Sequence, residues 1–232
     1  MSQTATHRIE CECGIAVSVF CADSINAERH PHMRQAVLDR TLHTYRCGAC
    51  SARIVVEKAF LYVDFARHEL FGVHPDAERA RERPHAERLL AEWNTALGEY
   101  APASVRAALD ADDYLLRLCF GIEELREKIV AHEAGLDDLA LEALKAQVLA
   151  ADRDLVARGC RTLRLDHVEL DGRLAFHLEA STNPVTLMEP GILVSRAAYD
   201  ELAARPWKEL VADFPWLASG PHVSLLRAMA PA

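Results

Sequence analysis

The chain has 232 residues, half of them hydrophobic and 26% charged, a balance that supports a packed core and excludes wholesale disorder. Its formal net charge of -9 repels phosphate and argues against general nucleic-acid binding. No apolar run approaches the ~20 residues of a membrane span, and the opening MSQTATHRIE lacks the apolar stretch of a secretory signal, so a cytoplasmic protein is expected.

Two close cysteine pairs dominate the first part of the chain, Cys11-Glu12-Cys13-Gly14 and Cys47-Gly48-Ala49-Cys50. The chain holds seven cysteines, an odd number. With no export signal, this favours reduced thiols and a metal over a disulfide framework. Zinc is soft enough to prefer thiolate and takes four ligands, so two turns with two sulfurs each can wrap it. The candidate metal ligands are Cys11, Cys13, Cys47 and Cys50.

Between the pairs, residues 15–21 carry β-branched residues at period two and predict a strand. Ser24-Ile25-Asn26 and Pro31 predict a loop, His32–Leu42 a short helix and His43–Arg46 a strand entering the second pair. Arg53–Phe65 is expected to leave as one strand, with His68–Val73 forming a hairpin against it.

From Asp76 the composition turns to Ala, Glu and Arg. Leu89, Leu90, Trp93 and Leu97 form an apolar stripe at helical period, and Pro84 suits the first turn of that helix. Residues 103–110 predict a further turn or two of helix. Gly121–Glu133 predicts another, ended by Gly135 in the left-handed conformation. Asp137 and Asp138 then open a helix with Leu141, Leu144 and Val148 as its stripe, expected to run to about Arg158.

RTLRLDHVELDGRLAFHLEA reads as two strands joined by a two-residue turn at Asp171-Gly172. That turn would set Arg164 opposite Glu179, Asp166 opposite His177 and His167 opposite Phe176. Leu163, Leu165, Leu174, Phe176 and Leu178 would share the buried face. Asn183-Pro184, Glu189-Pro190-Gly191 and Pro206 punctuate the C-terminal stretch. Within it, Ser195 is a candidate cap for a helix through Ala204, Trp207–Phe214 makes another, and VSLLRAMA ends as a strand or a helical turn.

The expected fold class is therefore α+β. It has an N-terminal antiparallel β module over 1–75 pinned at one end by sulfur, a central α-helical segment over 76–158, and a C-terminal β-hairpin with short helices over 159–232.

At the cysteines the chain resembles the CpXC family, bacterial and archaeal proteins named for a Cys-Pro-x-Cys knuckle. The shared features are Cys13-Gly14, then Ser24-Ile25-Asn26 with Pro31 nearby, then Cys47-x-x-Cys50, then Leu61-Tyr62-Val63-Asp64. GIEELREKIVAHEAGLDD is similar to the helix of the family's long members, so the likeness spans roughly residues 9–150. It implies a zinc-ribbon-like module with a structural Zn2+ and lends no activity. Two departures stand out. The first knuckle, Cys11-x-Cys13, is one residue short and lacks the proline, and Ser51 stands where a glycine often follows. His43 and His7 remain alternatives for completing the ligand set. Cys21 does not, because eight extended residues carry it ~26 Å from Cys13.

Other constellations have plainer readings beside the chemical one. Cys47-x-x-Cys50 has the form of a redox motif, but a strand instead of a helix is expected after it. His30-Pro31-His32 is a possible metal pair or a surface loop. Glu124, Glu127, His132, Glu133, Asp137 and Asp138 could hold a cation, or form an exposed acidic helix and the start of the next. Asp166 and His177 are an acid–base dyad or a cross-strand ion pair, and His167 is a packed or semi-buried histidine. Cys119 and Cys160 read as core. No phosphate loop, nucleophile elbow or His-Glu-x-x-His occurs.

Two functions are carried forward. The first is a zinc-stabilised module recognising a protein partner. The second is an enzyme, hydrolase-like, with a site between the helical and C-terminal units. Nucleic-acid binding would require Arg29, Arg34, Arg40, Arg46 and Arg53 to share one face.

Overall fold

A computed structural model describes residues 2–95, 114–180, 189–218 and 220–228. The expectations for Leu97, for residues 103–110 and for Asn183-Pro184 fall outside these. Ten strands and seven α-helices, with short 3-10 turns, occur among the described residues. The α+β class holds. The chain divides into two compact units, Met1–Leu125 and Arg126–Ala232.

The first unit is organised on a five-stranded sheet in the order β1-β2-β5-β6-β7. Strand β1 (Gln3–Glu10) was not foreseen. Its Thr4, Thr6, Arg8 and Glu10 are exposed and alternate with half-buried Ala5, His7 and Ile9, the period of a strand with one face covered. It pairs antiparallel with β2 (Ala16–Asn26), which begins where expected.

Strand β2 runs further than expected and absorbs Ser24-Ile25-Asn26. These residues pair in parallel with β5 (Phe60–Asp64): Ser24 faces Leu61, Ile25 faces Tyr62 and Asn26 faces Val63. Ser-Ile-Asn and Leu-Tyr-x-Asp, far apart in sequence, are thus one parallel ladder, with Ile25 and Tyr62 both buried. Short polar side chains end each strand. Asn26 Oδ1 accepts from the Arg29 N–H and Asp64 Oδ1 from the Arg67 N–H.

Helix α1 (Pro31–Leu38) has proline in its first turn. A separate two-stranded ribbon pairs β3 (Thr44–Arg46) with β4 (Arg53–Val55). The run Arg53–Phe65 is therefore two strands. Its first half answers β3, with the Val56 N–H still donating to the His43 carbonyl, and its second joins the large sheet, so the chain changes partner over residues 57–59. Lys58 in that stretch is held by Asp23. Strand β6 (Glu69–His74) pairs antiparallel with β5 as expected, and β7 (Leu115–Phe120) adds to β6 in parallel. The central segment thus contributes a strand as well as helices.

A 3-10 turn (Asp76–Arg81) leads into α2 (Glu82–Thr95), with Pro84 in its first turn. Leu89 is buried, Trp93 is half-buried, and Leu90 lies on the exposed side. A Cβ on Gly72 would come within 3.1 Å of a Leu89 methyl; glycine on β6 lets α2 lie close.

The boundary between units falls within α3 (Ile122–Glu133). Gly135 takes φ +64 and Asp137 caps α4 (Asp138–Ala151) by accepting from the Ala140 N–H, both as expected. The helix stops early because Asp152 leaves the helical conformation and caps a second short helix, α5 (Arg153–Ala157).

The second sheet has the order β10-β9-β8. Strands β8 (Cys160–Val168) and β9 (Leu174–Ala180) form the expected hairpin, and Leu163, Leu165, Leu174, Phe176 and Leu178 are all buried. The register differs from expectation. Leu165 faces Phe176, Arg164 faces His177 and Thr162 faces Glu179. The loop is three residues, closed by the Glu169 N–H donating to the Arg173 carbonyl and the Gly172 N–H to the Glu169 carbonyl, with Gly172 at φ +86, and β8 bulges at Asp166.

Strand β10 (Glu189–Val194) contains Pro190-Gly191, expected as a break, and accommodates them at an irregularity in its pairing. A Cβ on Gly191 would overlap the Phe176 carbonyl, so only glycine fits that crossing. Helices α6 (Arg196–Ala203), capped by Ser195, and α7 (Trp207–Asp213) match their expectations, and Leu225–Arg227 forms a 3-10 turn. Their apolar faces, with α4 and the second sheet, make the core of this unit.

Candidate metal centre

The β1–β2 hairpin tip is residues 11–15. The Cys11 N–H donates to the Ile15 carbonyl (2.9 Å) and the Gly14 N–H to the Cys11 carbonyl (2.8 Å), with Gly14 at φ +81. The β3–β4 tip is residues 47–52. There the Cys47 N–H donates to Ala52 O and the Ser51 N–H returns to Cys47 O, both at 2.9 Å. Ser51 takes φ +59, the conformation glycine adopts without cost. Serine here bears a backbone penalty that glycine would not.

These turns set four sulfurs together. Cys11 Sγ lies 3.6 Å from Cys50 Sγ, and Cys13 Sγ lies 3.7 Å from Cys47 Sγ. All four lie within 4.8 Å of one another. Tetrahedral zinc with Zn–S bonds of about 2.3 Å requires sulfurs about 3.8 Å apart. Cys11 and Cys47 are buried and Cys13 and Cys50 exposed, so each knuckle supplies one inner and one outer thiol.

The turns also supply N–H donors to sulfur. In the second knuckle the Cys50 and Ala49 N–H groups point at Cys47 and, against burial, bring its thiol down to about 6. The shortened first knuckle provides one such donor, the Cys13 N–H on Cys11. Burial and the neighbouring thiols Cys50, Cys13 and Cys47 outweigh it and push Cys11 up to about 12. Cys50 is raised as well: its Ala52 N–H contact and the Cys11 contact lower it, but Cys13, Cys47 and burial outweigh them. Four thiols sharing one site cannot all ionise by themselves; a divalent cation relieves that repulsion.

Neither histidine alternative joins the cluster. The buried His43 Nε2 accepts from the Ala22 N–H at 2.9 Å, and His7 Nε2 lies 3.0 Å from Lys58 Nζ. Cys21 is buried beside Tyr45. Strand β4 follows Cys50, so the second knuckle lacks the helix that activates a redox thiol.

The other sequence candidates resolve differently. His30 bonds Ser2 Oγ at 2.8 Å, and its ring meets His32 edge-on. The acidic cluster does not lie on a solvated helix. Glu124, Glu127 and Asp138 are buried, and each faces a cation: Arg79, Lys145 and Lys128 respectively. Asp166 Oδ1 and His177 Nε2 meet across the strands at 3.0 Å although the backbone register differs, with the bulge lying between Leu165 and His167. Asp166 also pairs with Arg126 at 2.8 Å. His167 is not packed; its side chain is 53% exposed between Asp166 and Glu169. Cys119 and Cys160 are core residues. Arg40, one of the five arginines considered for a nucleic-acid face, is paired with Glu123.

Sequence reasoning missed two groups. One is a buried ionic network in the second unit. The other is His74, Glu78 and His85, whose ligating atoms also lie within 4.8 Å of one another. The spacing His-x-x-x-Glu was the available signal, hidden because His74 ends a strand and His85 opens a helix. Among the described residues no helix is long and apolar enough to cross a membrane.

A family model described as CpXC protein matches residues 9–145, more than half the chain, so this chain belongs to the CpXC family. No curated protein and no solved structure matches it.

Proposed function

We propose that Cys11, Cys13, Cys47 and Cys50 hold one structural Zn2+, and that the protein serves as a binding module for another protein in the cytoplasm. The observation carrying this reading is the sulfur geometry: four thiols at 3.6–3.7 Å pair spacing on two hairpin tips. Four protein ligands fill a tetrahedral ion and leave no position for water or substrate, the mark of a structural site. Such an ion cross-links two turns that are far apart in the sequence and adds its binding energy to folding.

A protein-facing role is supported by the surroundings of the first knuckle. Ile15 is 49% exposed and Phe20 is 70% exposed on the hairpin that carries Cys11 and Cys13, two apolar side chains that a protein partner would cover. Amide hydrogen exchange with and without a strong chelator tests the structural claim. Zinc removal should abolish protection at Cys11, Gly14, Cys47 and Ser51, whose N–H groups close the two tips. Unchanged protection at those amides would refute a structural ion.

A further inference from the structure

We infer that His74, Glu78 and His85 form a second metal site, separate from the cysteine cluster and independent of its occupancy, for a divalent transition ion of the zinc class. His74 is the last residue of β6, Glu78 lies in the following 3-10 turn, and His85 lies in the first part of α2. One strand end, one turn and one helix start thus converge on a single carboxylate oxygen. Glu78 Oε2 is 2.9 Å from His85 Nε2 and 3.6 Å from His74 Nδ1. The two imidazoles lie 3.8 Å apart, centroid to centroid, tilted by 32°.

Hydrogen bonding does not explain this arrangement. His85 is 4% exposed, and neither of its ring nitrogens has a partner in hydrogen-bonding geometry; His74 Nδ1 has none either. Glu78 Oε2 stands 2.9 Å from His85 Nε2 but off the direction of a ring N–H, and at 3.6 Å from His74 Nδ1 it is an electrostatic neighbour beyond hydrogen-bonding distance. A buried donor or acceptor left unsatisfied costs about 1–3 kcal/mol, and three such nitrogens in one small cluster are unusual. An ion held by His74 Nδ1, His85 Nε2 and Glu78 accounts for two of them. Donors bound at about 2.0–2.2 Å to a tetrahedral or octahedral ion sit about 3–3.5 Å apart, close to the two separations observed.

The donor set defines the ion. Two imidazoles and a carboxylate suit zinc and the neighbouring transition ions; calcium and magnesium prefer all-oxygen shells. Three protein ligands leave at least one coordination position for water or an external ligand, unlike the closed cysteine site.

The test uses the full chain with its cysteine site already filled. Zinc is added under equilibrium dialysis, and bound metal is counted for the wild type, Glu78→Gln and His74→Gln. Ring-nitrogen NMR of the same samples follows the histidines. The expected result is about one further zinc per chain in the wild type, with His74 Nδ1 and His85 Nε2 resonances shifting on binding. Both variants should lose that equivalent while keeping the cysteine-bound one. Glu78 is 36% exposed at its side chain, so glutamine there leaves the fold intact. No further zinc in the wild type would overturn the inference. So would an extra equivalent that both variants retain, or one that leaves the His74 and His85 resonances unmoved.

Discussion

Lys145 Nζ lies 2.6 Å from Glu142 Oε1 and 2.8 Å from Glu127 Oε1, with all three side chains essentially without solvent. The cation bridges α3 and α4 from inside the second unit. Glu127 continues the network by accepting from the Leu165 N–H and pairing with Arg164, and Glu142 accepts from the Leu225 N–H. Lys128 bonds Asp138 and the Val223 carbonyl. Two helices, a strand of the second sheet and the C-terminal turn are therefore tied by charge, not only by apolar packing. Burial opposes ionisation of Glu127, but Lys145, then Arg164 and Lys128, hold its carboxyl below the usual range.

Removing that cation leaves two buried carboxylates short of a partner. Lys145→Met is expected to destabilise the second unit by about 3–5 kcal/mol, the cost of breaking a buried pair. Breaking the exposed Arg196–Asp200 pair by Asp200→Ala should cost at most about 1 kcal/mol. Denaturant midpoints at unchanged slope give both values. Equal losses would show that the network contributes nothing special.

Ser51 offers a gain instead of a loss. Its left-handed backbone costs a non-glycine residue about 1–2 kcal/mol, partly offset by glycine's extra chain entropy. Ser51→Gly is therefore expected to raise stability by about 0.5–1 kcal/mol and to leave metal content unchanged. A thermal melt of the zinc-loaded protein measures the first and elemental analysis the second; a lowered melting temperature would contradict the strain argument.

His43 gives the first unit a pH dependence. Burial, then the charges of Lys58 and His7, lower it from an ordinary 6.5 to about 4, and its Nε2 accepts from the Ala22 N–H. The unfolded chain thus takes up a proton at higher pH than the folded one. Stability from this residue is fully present above pH 6.5 and is lost as pH falls toward about 4. Relative to His43→Gln, the wild type should lose stability progressively across that window. Parallel curves for the two proteins would show that His43 is not the group responsible.

Much of the fold was legible because local chemistry fixed it. The cysteine spacing marked the two hairpin tips, Asp137 and Ser195 marked helix starts, and Gly135 a helix end. The ladder between Ser24-Ile25-Asn26 and Leu61-Tyr62-Val63 was not legible, since parallel pairing depends on partners far along the chain. Strand β7 was missed for a related reason: a short apolar run covered on both faces has no alternation to read. The hairpin register failed at a three-residue loop and at the Asp166 bulge, which a two-residue turn signal cannot reveal. The buried charges failed because Glu127, Glu142 and Lys145 look like an exposed helix face until their partners are placed around them.

Of the candidate centre, the four thiols were readable from spacing alone. Their inner and outer placement, and the single N–H donor that the shortened knuckle keeps, required the turns themselves.

The most direct measurement is metal per chain by elemental analysis, on protein purified without added zinc or an affinity tag, with Cys47→Ser and Glu78→Gln run beside it. About one tightly held zinc per chain, lost in Cys47→Ser and kept in Glu78→Gln, is the predicted result. The same metal content in Cys47→Ser as in the wild type, or iron in place of zinc, would contradict a structural zinc site at the four cysteines.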